Sequence, residues 1–529
     1  MRFYTKTFVH SVWTKVADQD STFINAYTKA SLEWRCEHRA RFARPQTTLV
    51  IMLVEQVSQL DVALFNTLQL SHICLIADTH AVRQQLELIY SDKHVNHHQS
   101  FNICVKDQFP AWLKGFVWAS PYWFAVLKSG ETPLDDSINF IQPINPDVAD
   151  QPIAAVYFDH YAGVSSTSLR IKPTLDPILS AQHDYISNAV WFNSEHVDIK
   201  SVVECVSRDQ SMAEMLCNHP LIIHSRPFPG FRLTAQATST HPNNEQQEPI
   251  PTIEPPLVSV IIPTRNQYVL LNKAVDSVLA TGYPKIELII VDNQSNEQAT
   301  ITYLQTLALQ GAVTVLRYDS AFNYSAINNF AVAHASGELL CFLNNDIEAL
   351  TPNWLQKLTV YAGKPNAGAI GAKLLYPDQT IQHAGVVVGL NGIADHIFKG
   401  IGAEVVTNID ELNITRQVAA VTAACLLVKK QAFIDVGGFN QDHLAVAFND
   451  VDLCLKLNRA GLTNIWVHDA VLLHHESISR GLDGSEDKRI RFASEVDYMR
   501  RTWGIDEQFT DLHTNPCWCR AIDIMRGKR

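Results

Sequence analysis

Leu257-Val258-Ser259-Val260-Ile261-Ile262-Pro263-Thr264-Arg265-Asn266 is the stretch from which the fold can be read. Its β-branched run is short and stopped by Pro263, as a buried strand with a polar tip would be. Downstream, Leu270, Leu271, Ala274, Val278 and Leu279 recur at helical spacing, and Gly282 and Pro284 close that helix. Ile286-Glu287-Leu288-Ile289-Ile290-Val291 is a second strand, tipped by Asp292-Asn293-Gln294-Ser295. The pattern continues with a helix to residue 309, a strand over 313–316, a helix over 326–335 and a strand over 338–343. Strands alternating with helices imply crossover connections and a mostly parallel sheet covered on both faces, an α/β fold. Such sheets bind ligands beyond the carboxyl ends of their strands. The tips Pro263-Thr264-Arg265-Asn266, Asp292-Asn293 and Asn344-Asn345-Asp346 all fall there.

Working outward, residues 236–256 are polar and proline-rich, which reads as a semi-extended linker. The linker separates an N-terminal half, 1–235, from a C-terminal domain over 257–505 and a tail over 506–529. A length of 529 residues leaves room for two to four domains of ~150 residues, and 47% hydrophobic content supplies more than one core. The formal charge of −12 opposes bulk nucleic-acid binding, which needs a basic excess to neutralise phosphate. Ten cysteines are scattered, several inside apolar runs such as Leu339-Leu340-Cys341-Phe342-Leu343, which suits a reducing compartment. Cys517-Trp518-Cys519 is the lone close pair, weak ground for a metal. The start, Met1-Arg2-Phe3-Tyr4-Thr5-Lys6, lacks a signal peptide's apolar core, and no window nears 18 uninterrupted apolar residues. A soluble, cytoplasmic protein is expected.

Three constellations can carry chemistry. Asn344-Asn345-Asp346-Ile347-Glu348 follows an apolar strand, where a carboxylate can hold a hard divalent cation shared with a diphosphate; a plain Asn/Asp turn is the alternative. Phe448-Asn449-Asp450-Val451-Asp452-Leu453 opens a helix closed by Gly461, so Asp450 is a general base or a helix cap, with Asn449 the rival cap. Val471-Leu472-Leu473-His474-His475 ends a strand in two imidazoles, either of which can complete a metal site or stay a hydrogen-bonded surface group.

In order and spacing, these stretches resemble the inverting family 2 glycosyltransferases of the GT-A fold, nearest to the rhamnosyltransferase-like enzymes of bacterial surface polysaccharides. The resemblance covers 257–505. It rests on Val-Ser-Val-Ile-Ile-Pro-Thr-Arg-Asn at 258–266, Phe-Asn-Tyr-Ser-Ala-Ile-Asn-Asn at 322–329 and Leu-Asn-Asn-Asp-Ile-Glu at 343–348. Further support comes from Ile-Gln-His-Ala-Gly-Val at 381–386, Phe-Asn-Asp-Val-Asp-Leu-Cys-Leu at 448–455 and His-His-Glu-Ser-Ile-Ser-Arg-Gly at 474–481. It implies that Pro263, Thr264, Arg265 and Asp292 frame the base and ribose of a nucleotide-sugar, with Asn293 able to share that role. Asn329 would hold the nucleotide side of the pocket. Asn344, Asn345 and Asp346 stand at the Asp-x-Asp motif, so Asp346 would bind Mg²⁺ or Mn²⁺ bridging the diphosphate, with fewer carboxylates because Asn344 replaces the first acid. His474 matches a third metal ligand, with His475 its rival. Asp450 matches the catalytic base, although Asn449 replaces the preceding Glu. The implied activity is inverting, metal-dependent transfer from a UDP- or dTDP-sugar to a glycan, free or lipid-linked, such as O-antigen or capsule.

Residues 1–235 resemble a degenerate copy of the same GT-A-like plan, with an unrelated accessory α/β domain as the alternative. Trp123-Phe124-Ala125-Val126-Leu127-Lys128-Ser129-Gly130-Glu131 resembles the strand before the metal motif, but Lys128 and Ser129 stand where acids are expected. Arg208-Asp209-Gln210-Ser211 resembles a remnant of the base motif. At the other end Lys488, Arg489, Arg491, Arg500, Arg501, Arg520, Arg526, Lys528 and Arg529 lie amid aromatic residues. They suit either peripheral contact with anionic lipid at the inner membrane or a solvated helix. A scaffold without activity is the rival function. A nucleotidyltransferase or dehydrogenase would want glycines after the first strand, and Pro263-Thr264-Arg265-Asn266-Gln267 has none.

Overall fold

The computed structural model of the chain describes most of residues 21–233 and 254–525. Residues 56–69, 91–99, 116–121, 144–151, 163–168, 181–183, 403–411 and 476–485, with scattered single positions, lie outside the description. So do most of the linker, the chain start, the segment Glu476 to Gly481, and Arg526, Lys528 and Arg529 named above. Two compact units result, one from 246–514 and the other from 19–245 together with 515–529.

The N-terminal unit is built on a sheet of short, apolar strands. These are β1 (Thr48–Val54), β2 (His72–Ala77), β3 (Ser100–Val105), β4 (Trp123–Lys128), β5 (Thr132–Pro133), β6 (Ile153–Ala162), β7 (Val190–Asn193) and β8 (Ile222–Leu233). Their spatial order is β3-β2-β1-β4-β7-β6-β8-β5, with the short strand Leu169–Arg170 beside β6. β1 and β4 are buried almost throughout because crossover connections cover both faces of the parallel half.

The C-terminal unit repeats this arrangement with β9 (Val258–Thr264), β10 (Ile286–Asp292), β11 (Val313–Arg317), β12 (Leu339–Leu343), β13 (Ile347–Ala349), β14 (Ala367–Leu375), β15 (Cys425–Lys429) and β16 (Thr463–His474). Their order is β11-β10-β9-β12-β15-β14-β16-β13. The first order shifted by eight gives the second, and the sense of each pairing is kept as well. β1, β2, β3 and β4 are mutually parallel like β9, β10, β11 and β12. β7 and β15 run antiparallel to both neighbours. β6 and β8 are parallel like β14 and β16, and β5 and β13 close the edge in reverse. The two units thus share one strand order and one sense of pairing.

The expected mostly parallel sheet holds as far as β12. Beyond it β15 returns beside β12 in reverse, after a long excursion through β13, the helix Trp354–Ala362, β14 and several shorter strands. The last strand is also much longer than its apolar end at 471–474, because it starts at Thr463.

Register locates what the N-terminal unit has become. Ile347 pairs with His474 in one unit and Thr132 with Arg232 in the other. Glu131 therefore occupies the station of Asp346, and Arg232 that of His474. An acid is retained three residues beyond Lys128, a correction to the expectation that Lys128 and Ser129 replace the motif. Glu131 is buried, and its Oε2 accepts the Lys128 N–H at 2.8 Å. The strand-end cleft beside it is lined by Glu55, Asp78, Lys106, Lys128 and Asp209 among others. Its lysines are already paired, Lys128 with Asp209 and Lys106 with Asp78.

Residues 506–529 do not form one tail, because the helix Pro516–Met525 packs on the helix Ser21–His38 of the N-terminal unit. The join is polar and buried. Tyr27 donates to Asp159, the Lys172 N–H donates to Asp159 Oδ1 at 2.8 Å, and Asn515 Nδ2 donates to the Lys172 carbonyl at 3.1 Å and faces Asp159 Oδ1 at 3.3 Å. Burial pushes the Asp159 carboxyl up and the Lys172 ammonium down. Asn515→Ala strips buried acceptors of a donor, so it is expected to cost about 1–3 kcal/mol, seen as a lower thermal midpoint of the full chain. An unchanged midpoint would show the join to be idle. Arg520 of the same helix pairs with Glu37 at 2.8 Å. Cys517 is buried and reduced.

Candidate functional site

The polar tips of β9, β10 and β12 meet at one end of the parallel half. Thr264, buried at the end of β9, accepts the Asn293 N–H at its carbonyl at 2.8 Å and the Asn345 amide at its Oγ1 at 3.0 Å. Pro263 is buried beneath it and Arg265 is exposed beside it, with no carboxylate partner among the described residues. Asn266 and Gln267 take left-handed backbone angles, and the Asn266 Oδ1 accepts the N–H groups of Asn296 and Glu297. Asp292 is buried and engaged on both oxygens, by the Ser295 N–H at 2.9 Å and by Arg317. Asn293 donates to the carbonyls of Tyr318 and Ser320, while its buried Oδ1 has no partner among the described residues.

The metal-type residues converge through strand register. β13 pairs with β16 so that Asp346, just before β13, lies against His474. His474 Nε2 is 3.2 Å from Asp346 Oδ1 and 3.5 Å from the Asn344 amide nitrogen. Both Asp346 and His474 are buried, and His474 Nδ1 has no hydrogen-bond partner among the described residues. His475 is committed elsewhere, with Nε2 at 3.0 Å from Glu348 Oε2, which Lys273 also approaches at 3.2 Å. The His475 hydrogen bond, aided by Lys273, holds the Glu348 carboxyl below its ordinary value. Adjacent ligands of a six-coordinate cation at ~2.1 Å lie roughly 3 Å apart, which the Asp346–His474 separation matches. Among the described residues no cluster of three or more His, Cys, Asp or Glu converges. A cation held here would thus draw its remaining ligands from substrate oxygens and water, a usual arrangement for Mg²⁺.

Asp450 sits in the first turn of a helix, yet it is not the cap. The helix Asn449–Arg459 begins after Phe448, whose φ of 60° turns the chain into it. Asn449 spends its amide on the Val446 carbonyl at 3.0 Å. Asp450 Oδ2 accepts the Ala423 N–H at 3.0 Å and Oδ1 the Val451 N–H at 2.9 Å. Burial pushes its carboxyl up, partly offset by these N–H groups and the Thr422 side chain. Asp452, in the same first turn, is occupied by Trp503 Nε1 and Lys456, at 3.0 and 2.9 Å.

One short segment joins the two halves of the site. Ala424, just before β15, accepts the Asn344 N–H at 3.0 Å, while its neighbour Ala423 donates to Asp450. Tyr324, at the head of helix α1 (Tyr324–Val332), fixes the Ala423 carbonyl at 2.9 Å. Asn329 on the same helix does not face a pocket with its amide. Its Nδ2 donates to the Phe439 carbonyl at 2.8 Å and its Oδ1 accepts the Phe439 N–H at 3.1 Å. Gly438, at φ +64°, passes so close that a Cβ would meet the Asn329 oxygen at 3.0 Å. Asn329 therefore holds the Gly437-Gly438-Phe439 turn ahead of the Asp450 helix.

Sequence reasoning missed Thr422–Ala424, of which Ala423 and Ala424 act through main-chain groups and Thr422 also through its side chain, and Glu495 of the helix Glu486–Trp503. Glu495 is buried, and its Oε1 accepts the N–H groups of Val446 and Ala447, steadying the loop that leads to Asp450. Of the basic residues on that helix, Arg491 and Arg501 pair with Glu495 and Asp497 one turn along.

Residues 259–386 match the family model described as Glycosyl transferase family 2. Over 263 residues, 49% of this chain, the sequence is 46% identical to the uncharacterized protein y4gI of Sinorhizobium fredii. It is 42% identical over 230 residues, 43% of the chain, to the O-antigen biosynthesis protein RfbC of Myxococcus xanthus. Those matches span 29% and 18% of the two relatives' own lengths. The N-acetylglucosaminyl-diphospho-decaprenol L-rhamnosyltransferase of Mycobacterium tuberculosis is 26% identical over 39% of this chain and 71% of its own. The part of the C-terminal unit that carries the strand-end site, residues 259–386, is thus the part that is similar to glycosyl transferase family 2.

Proposed function

We propose that the C-terminal unit transfers a sugar from a nucleotide-sugar, UDP- or dTDP-linked, to a hydroxyl of a growing bacterial surface glycan, with inversion at the anomeric carbon. The observation that carries this reading is the Thr422–Ala424 segment, which ties the Asn344 main chain and the Asp450 carboxylate to consecutive residues. A diphosphate-binding strand end and a candidate base thus share one rigid frame, as a single displacement requires.

Asp450 would take the proton of the acceptor hydroxyl as that oxygen attacks, and its raised pKa suits the task. Attack opposite the departing diphosphate inverts the centre. Asp346 and His474 would hold Mg²⁺ or Mn²⁺, which as a Lewis acid would offset charge growing on the leaving group. Pro263, Thr264, Arg265, Asp292 and Asn345 line the tips where a nucleotide would lie, and Asn344 faces His474. Asn329 serves the frame of Asp450 rather than the nucleotide.

The acceptor is proposed to be a glycan or a lipid-linked glycan. Among the described residues no helix is long and apolar enough to cross a membrane. Peripheral contact with the inner membrane and a cytoplasmic location remain proposals that the paired arginines of residues 486–503 do little to support.

Nucleotide release from a panel of UDP-, dTDP- and GDP-sugars, with Mn²⁺ and with chelator, tests the reading. Metal-dependent release from one UDP- or dTDP-sugar is the expected result. Absence of both nucleotide binding and release across the panel would sink it in favour of a scaffold.

A further inference from the structure

One buried and one half-buried imidazole lie behind the segment that joins the halves of the site. His383 ends the strand Ile381–His383 and is fully buried, and His396 ends the strand Ala394–His396 of an adjoining hairpin. Their rings are perpendicular, with centroids 4.9 Å apart and Nδ1 atoms 2.8 Å apart. On its other side His383 Nε2 faces the Thr422 N–H at 3.5 Å.

Only one pattern of protons satisfies both contacts. A main-chain N–H can only donate, so His383 Nε2 is bare and accepts. The neutral ring then carries its proton on Nδ1, which donates to His396 Nδ1. His396, bare at Nδ1, carries its proton on Nε2. Neutrality itself follows from the surroundings. Burial, then His396, Arg416 and His474, hold the His383 ring well below its ordinary value, and burial pushes His396 down to about 3.

We propose that His383 is a positioning residue for the candidate base. Its bare Nε2, locked by His396, anchors Thr422, the first residue of the segment whose Thr422 side chain and Ala423 N–H hold Asp450 and whose Ala424 carbonyl holds Asn344. The segment needs such a backstop. Thr422 and Ala423 lie just outside β15, where ladder hydrogen bonds no longer fix the chain. Thr422 Oγ1 also closes the turn by accepting the Ala424 N–H at 3.3 Å. Loss of the imidazole would free the turn to drift, and a base displaced from the acceptor hydroxyl loses rate before it loses donor affinity.

The inference rests on the transferase reading, so its test starts from the full chain and a donor that the wild type turns over. His383→Leu keeps the bulk and removes both polar atoms. It is expected to lower kcat about 10-fold or more, with KM for the donor within about twofold. His383→Gln restores an acceptor toward Thr422 and a donor toward His396, and kcat is expected to return to within about threefold of wild type. In a cycle with Thr422→Ala, the double variant His383→Leu/Thr422→Ala should be no slower than the slower single, because both act through one segment. A folded His383→Gln as slow as His383→Leu would overturn the proposal, as would additive losses in the cycle. If His383→Leu fails to fold, His383→Gln with Thr422→Ala decides alone, and near-wild-type kcat in Thr422→Ala overturns it. A wild type silent on every donor would instead count against the transferase reading.

Discussion

Asp450→Asn is expected to lower sugar transfer by about 10²–10⁴-fold, the usual contribution of one general base. The substitution keeps the shape of the side chain and one acceptor for the Ala423 or Val451 N–H, but removes the basic oxygen. Donor binding should persist, since no donor-facing tip is altered. Unfolding should not explain the loss. The folded-state pKa of Asp450 is raised, so the stability linked to its protonation is present below the ordinary carboxylate value and is lost as pH rises through the folded value. At neutral pH the ionised carboxylate is therefore a burden that Asn does not carry, and the thermal midpoint should stay level or rise. The same shift sets the pH profile. Activity should fall with acidification through a limb lying above the ordinary carboxylate range, where the base takes up its proton. Steady-state rates from pH 4 to 8, donor affinity by calorimetry and the melting midpoint check the three parts. Turnover of the variant near that of the wild type would remove Asp450 as base.

How much of this site can be read from sequence depends on which atoms do the work. Apolar strands of the parallel half announce themselves because both faces are buried, and β9, β10 and β12 start and stop within a residue or two of their β-branched or apolar runs. Asp346 and Asp450 draw notice in the sequence because one follows an apolar strand and the other opens an amphipathic helix, in an order that resembles the family. Asn329 misleads because its motif position says nothing of where its amide points. It grips Phe439 only once Gly437 and Gly438 bring that turn within reach. Ala423 and Ala424 leave no signal, since a main-chain N–H or carbonyl is the same in every residue. Glu495 reads as one acid in a mixed-charge helix, and its buried role appears only when residues 446 and 447 fold beneath it. In the N-terminal unit Glu131 is hidden by an offset. The strand resembles the motif, but only the pairing of Thr132 with Arg232 shows which residue occupies the acid's station.

His474, which closes β16, and His475, just after it, should separate cleanly by their dependence on metal. Pairing of Ile347 with His474 turns one imidazole to Asp346, and the next residue, on the opposite side of the chain, reaches Glu348. Asp346→Asn or His474→Ala is accordingly expected to lower turnover at limiting Mn²⁺ on the order of 10²-fold, equivalent to about 3 kcal/mol of lost Lewis-acid stabilisation. His474→Ala should recover in part as Mn²⁺ is raised, because Asp346 remains. Asp346→Asn should recover less, because it removes the one carboxylate of the pair. His475→Ala breaks a partly exposed pair with Glu348, worth little on its own, and should leave the Mn²⁺ concentration for half-maximal rate unchanged. Titration of rate against Mn²⁺ for the four proteins is the measurement, with Mn²⁺ binding by paramagnetic line broadening as a readout free of turnover. A His475→Ala variant that needed more metal than His474→Ala would reverse the assignment. Equal metal response in all four would mean that this strand end carries no cation at all. In that case the buried Asp346–His474 contact would be a structural contact of the fold, and the charge of a leaving diphosphate would have to be met by Arg265 or another exposed cation.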